Sequence, residues 1–153
     1  MGAFVVITEF DTDTFEKSGD NFRMKSRPFR ATATITSAAA ATAVSLLPAS
    51  LVPADKRVYI EGYIAKVDGA IDWATTATVK IQDTAGTPVD FVILAASTLN
   101  GNEVHGPWSD SATLQNAFAK GSGGTLGKGL QLKGNANGTG SSLVVTVWGK
   151  IAS

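Results

Sequence analysis

The chain has 153 residues, 44% hydrophobic and 17% charged, which excludes a disordered polymer and suits one domain with a buried core. Thirteen basic residues balance thirteen acidic ones, so no global field draws the chain to nucleic acid or to an anionic membrane, and neither is expected as a partner. The absence of cysteine excludes a disulfide framework, a cysteine nucleophile and a thiolate zinc site.

The opening MGAFVVITEF lacks a basic region and has only a short apolar run, so it reads as a cytosolic start rather than a signal peptide. Val6 stands where a myristoylation signal needs Ser or Thr. Residues 5–9 are a weak strand candidate. The run DTDTFE at 11–16 alternates carboxylates but lacks the glycine and terminal Glu of a calcium-binding loop, so it reads as a solvated acidic loop. Arg23, Lys25, Arg27 and Arg30 then form the one local basic cluster. Two readings stay open for it: a charged edge strand protected against aggregation, or an arm docking on an acidic protein surface. In the second, Phe15, Phe22 and Phe29 serve as apolar anchors. Residues 1–28 are accordingly expected to be an N-terminal arm or edge segment, and residues 29–153 a single β-sandwich.

From Phe29 the dominant period is two. Phe29, Ala31, Ala33 and Ile35 alternate with Arg30, Thr32, Thr34 and Thr36, the pattern of a strand with one buried face. Residues 43–47 are a weaker strand. The apolar stretch 38–52 is too short to span a bilayer and is broken by Pro48. Val58, Ile60 and Ile64 alternate with Tyr59, Glu61 and Tyr63, and Ala77, Val79 and Ile81 with Thr78, Lys80 and Gln82. Residues 89–94 and 129–133 are weaker candidates. Leu143, Val145, Val147 and Ile151 alternate with Val144, Thr146, Trp148 and Lys150. With turn residues at Asp68-Gly69, Thr84-Ala85-Gly86 and Asn137-Gly138, this spacing predicts an all-β, eight-stranded, two-sheet sandwich. Its expected core includes Val58, Ile60, Ile64, Val79, Ile81, Val145 and Val147. Residues 109–121 fit either a short helix or a strand.

His105 is the only histidine, so any histidine-based triad must use it, and alone it cannot make a zinc site. Its setting, NEVHGPW, reads as a solvated loop, so replacing it is expected to be nearly neutral. Half of the sixteen glycines lie between residues 121 and 140. They match no phosphate loop, because Ser122 and Gly129 occupy the positions of the first glycine and the magnesium-binding hydroxyl. They read instead as two loops around one strand. Trp73, Trp108 and Trp148 are too isolated to make a sugar platform. Trp148, in the polar register of its strand, suits a subunit interface. No enzyme chemistry and no cofactor are expected.

SLLPAS (45–50), KRVYIEGYIAKV (56–67), TATVKIQDTAGTPVDFVIL (76–94) and GKGLQLKGNANGTGSSLVVTVWGKI (127–151), taken in that order, resemble small β-sandwich virion proteins of tailed bacteriophages. Residues 1–29 have no counterpart in that group. The resemblance implies a jelly-roll-like sandwich, assembly as a homotrimer and a capsid decoration or cement role on the major capsid protein. Such a protein is made in the host cytoplasm and ends on the capsid surface. A tail-fibre-type receptor- or carbohydrate-binding module is the alternative. Partner-binding residues are then expected among Phe15, Phe22, Arg23, Lys25, Arg27, Arg30 and Trp148.

Overall fold

A computed structural model of the chain describes residues 15–18, 21–73, 78–95, 98–107 and 123–153. The strands are β1 (Phe15–Ser18), β2 (Asn21–Met24), β3 (Ser26–Ile35), β4 (Val44–Leu47), β5 (Arg57–Asp68), β6 (Val79–Asp83), β7 (Asp90–Leu94), β8 (Val104–His105), β9 (Leu130–Gly134) and β10 (Ser142–Ala152). Two 3₁₀ turns, Ser37–Ala39 and Ala49–Leu51, flank β4. Among the described residues no helix is long and apolar enough to cross a membrane.

β1 and β2 pair with each other, and the remaining strands form two four-stranded antiparallel sheets. The first has the order β3-β10-β5-β8 and the second β4-β9-β6-β7. The pairings β3 with β10, β4 with β9, β5 with β8 and β6 with β7 are those of one long hairpin whose closed end is the loop between β6 and β7. That hairpin is folded over so that β10 also pairs with β5 and β9 with β6, which joins its segments into two sheets.

Alternation explains why the sheets face each other. In β10, Leu143, Val145 and Val147 are wholly buried, and Ile151 nearly so, while their neighbours point outward. Val79, Ile81, Leu130 and Leu132 supply the facing layer from β6 and β9. Each such side chain stabilises the fold by about 1.5–3 kcal/mol through apolar burial. Six of the seven residues expected in the core are there: Val58, Ile60, Val79, Ile81, Val145 and Val147.

Ile64 is the exception. Along β5, Trp148 is opposite Gly62 but Gly149 is opposite Ile60, so Glu61 is an extra residue in the ladder. A bulge of this kind reverses the parity of everything beyond it. Val58 and Ile60 point inward before it, and Tyr63, Ala65 and Val67 after it. Ile64 therefore lies half-buried on the outer face and Tyr63 is wholly buried, the reverse of simple alternation. Burial pushes the Tyr63 phenol up to about 12. Leu46 in β4 and Phe91 in β7 are extra residues in the same way, and both are buried.

The expected strands at 29–36, 43–47, 58–64, 77–82, 89–94, 129–133 and 143–151 correspond to β3, β4, β5, β6, β7, β9 and β10. The candidate at 5–9 and the ambiguous segment 109–121 lie outside the described residues. β1, β2 and the two-residue β8 were not anticipated. β3 begins ahead of Phe29, and Ser26, Arg27 and Pro28 pair with Ala152, Ile151 and Lys150. The glycine-rich stretch, where described, consists of loops around β9. At Gly129 the backbone of 47–49 approaches so closely that a Cβ would meet the Leu47 carbonyl oxygen at 2.0 Å, which only glycine allows.

Candidate interaction surface

The lone histidine is not in a solvated loop. His105 is on β8, opposite Ala65, with its ring buried on the inner side of the first sheet. Its Nε2 lies 3.5 Å from Glu103 Oε2 and makes no hydrogen bond. Burial lowers the imidazole pKa below its usual 6.5, and the Glu103 carboxylate opposes this only in part. The neutral ring is therefore the folded form. Its contribution to stability is complete above pH 6.5 and is lost as pH falls through the lowered folded-state value. The expectation of a neutral substitution fails on burial: His105→Ala should cost about 1–3 kcal/mol at neutral pH. His105→Leu should keep the packing and remove the titration. Urea midpoints of the wild type should then fall more than those of the Leu variant between about pH 7 and pH 5. Equal falls would show a solvated ring.

Among the described residues no group of three or more His, Asp or Glu side chains is placed to hold a metal ion. The carboxylate run at 11–16 has no described side chains. The buried carboxylate of Asp83, at the end of β6, is instead a structural clamp. Oδ1 accepts hydrogen bonds from the N–H groups of Ala85 (3.1 Å) and Val89 (3.0 Å), and Oδ2 from that of Thr125 (2.8 Å). Desolvation is the largest single influence and raises its pKa. The Thr125 backbone and hydroxyl, Val89 and Ala85 together outweigh it, so the carboxyl lies below its usual 3.8. One side chain thus ties the β6–β7 loop to the segment leading into β9.

The outer face of the first sheet brings together two of the seven expected partner-binding residues, Arg30 and Trp148. Opposite residues of an antiparallel pair share a face, so Arg30, Trp148 and Gly62 form one row across β3, β10 and β5. The Trp148 indole lies over Gly62, where a Cβ would come within 2.3 Å of the ring, so glycine is what makes room for it. The row on one side carries Pro28, Lys150 and Tyr59, with Lys150 Nζ 5.7 Å from the centre of the Tyr59 ring. The row on the other carries Thr32, Thr146 and Ile64, and the two threonine hydroxyls are hydrogen-bonded at 2.9 Å. The face combines half-buried apolar groups, Trp148, Ile64 and Val144, with cations at Arg30 and Lys150.

The other expected residues are spread more widely. Arg27 occupies the opposite register of β3 from Arg30 and donates to the Leu51 carbonyl at 2.6 Å. Both arginines and Pro28 belong to the edge strand of the first sheet, where charge and proline discourage further strand addition. Lys25 is half-buried between β2 and β3. Phe15 pairs with Met24, Phe22 with Lys17 and Arg23 with Glu16 along the β1–β2 backbone. Of the three tryptophans, Trp73 is in the core, Trp148 is on the outer face and Trp108 lies outside the described residues. The Asp83 clamp escaped the sequence reading. Its one signal was an Asp directly before the Thr84-Ala85-Gly86 turn, where Asp side chains commonly accept local backbone bonds. Compared with known proteins, the chain matches no family model, and no curated protein matches it at a significant level.

Proposed function

We propose that the chain is a non-enzymatic virion structural protein of a tailed bacteriophage, a decoration or cement protein that binds the major capsid lattice as a homotrimer. The observation that carries this reading is the strand pairing. A long hairpin folded over into sheets of order β3-β10-β5-β8 and β4-β9-β6-β7 is what an eight-stranded jelly roll would require, and it supports that reading. Jelly rolls present broad sheet faces to neighbours, and fold by itself does not decide function. Two further features support the reading. The only histidine is buried in the sandwich wall and presents no base to a substrate. The Arg30, Trp148 and Ile64 surface combines an aromatic, an arginine and an aliphatic group, a composition common at protein interfaces.

In this proposal the outer face of the first sheet joins the subunits. The N-terminal segment, an arm with Phe15, Phe22, Arg23 and Lys25, attaches to the capsid. The site of action is the capsid surface, after synthesis in the host cytoplasm. The test is co-sedimentation with capsids lacking the protein. The full chain should pellet with them, and the double variant Arg23→Glu, Lys25→Glu should bind about tenfold more weakly, with the wild-type advantage shrinking as salt rises. Trp148→Asp should sediment as a smaller species in analytical ultracentrifugation. A full chain that ignores capsids but is retained on immobilised glycans establishes the receptor-binding alternative instead.

A further inference from the structure

The outer face of the second sheet differs in character from that of the first. Lys80 and Gln82 on β6, Lys133 and Gly134 on β9, Pro88 and Asn135 line an open depression of about 250 Å³. Lys80 and Lys133 are directly opposite each other in the β6–β9 ladder, so the two lysines share one face of the sheet. Like charges so placed destabilise a sheet. Asp90 on β7 neutralises one of them, with its Oδ2 2.6 Å from Lys80 Nζ. Lys133 makes no ion pair among the described residues, which leaves the depression with a net charge of about one positive unit. Gln82 is only 7% exposed, yet its amide makes no hydrogen bond within the described chain and what remains accessible faces the depression. The amide is open to solvent at the depression, where its donor and acceptor are available to a ligand.

We propose that this depression binds a single acidic sugar unit, with the carboxylate on Lys133 and the hydroxyls on the amides of Gln82 and Asn135. The chemistry selects this class in three ways. One uncompensated ammonium matches a singly charged carboxylate, whereas a phosphate dianion would be repelled by Asp90. Side-chain amides offer paired donor and acceptor groups to neighbouring hydroxyls, while Pro88 gives the apolar side of the ring a contact. The volume is below the roughly 300–1,000 Å³ of drug-sized sites, which suits one ring. The site is independent of the capsid reading and stands or falls without it.

The experiment is a titration of the ¹⁵N-labelled full chain with glucuronate, followed by amide chemical shifts, with glucose and acetate as parallel arms. Glucuronate should give saturable shifts confined to the amides of Lys80, Gln82, Lys133 and Asn135. Glucose, lacking the charge, and acetate, lacking the hydroxyls, should each bind about tenfold more weakly, the loss of one charge-assisted or several neutral hydrogen bonds. Lys133→Gln should weaken glucuronate binding about tenfold and leave the melting temperature unchanged or raised, because it relieves the Lys80–Lys133 opposition. The proposal is overturned if glucuronate gives no localised shift, if acetate does as well as glucuronate, or if Lys133→Gln binds like the wild type.

Discussion

Replacing Val145 by Asp should lower the unfolding free energy by about 4 kcal/mol or more, the largest loss expected from a single substitution in this chain. Val145 is 0% exposed and is paired with Ala33 on one side and Ala65 on the other, at the centre of the three-strand array β3-β10-β5. A carboxylate there loses a valine's burial and finds apolar neighbours on both flanking strands. The site responds either by keeping the carboxyl protonated or by opening the sheet. A domain of this size has a total stability of about 5–15 kcal/mol, so such a loss takes a large share of it. Val144→Asp is the control. Its side chain is half-exposed on the opposite face, and the same chemical change should cost about 1 kcal/mol. Urea denaturation of the two variants measures the difference. Similar midpoints would show that the register of β10 is wrong.

Removing the Asp83 clamp should come next, with Asp83→Ala costing roughly 3–5 kcal/mol. The substitution strands the N–H groups of Ala85, Val89 and Thr125 and leaves a space beside the Phe91 ring and Gly124. Asp83→Asn should be costly too, by about 2 kcal/mol, because its NH₂ group must face one of these donors with a donor of its own. Acid titration supplies a second readout with a definite sign. The folded-state pKa is depressed, so the carboxylate's contribution is complete above the unfolded value of 3.8 and is lost as pH falls through the folded value. The wild type should therefore lose stability steeply below about pH 4. The Asn variant, weaker at neutral pH, should lose less over that interval. Parallel acid profiles of the two proteins would remove Asp83 from the account.

The strands at 29–36 and 143–151 are legible from alternation alone, because β3 and the inner face of β10 run without interruption from Phe29 to Ile35 and from Leu143 to Val147. The outward placement of Trp148 followed from the same pattern. β8 left no mark, since a two-residue strand has no period and is defined only by its partners Ala65 and Lys66. His105 was misread for the same reason: next to Gly106-Pro107 it looks like a loop residue, and only pairing with β5 turns its ring inward.

What the sequence determined by itself was the all-β class and the inward set on uninterrupted strands, because a period of two is a local property of the backbone. It also set the loop character of the described glycine-rich stretch, through residues that tolerate tight reversals. Tertiary structure decided the rest. The bulge at Glu61 exchanges Tyr63 and Ile64 between core and surface, and it exists only as an unequal count of residues on β5 and β10. Likewise, the Asp83 clamp joins residues more than forty positions apart, and Lys80 meets Lys133 only because β6 and β9 pair in one particular register. Side-chain neighbours across strands are fixed by which strands meet and in what register, and that information is carried by the folded chain as a whole rather than by any stretch of it.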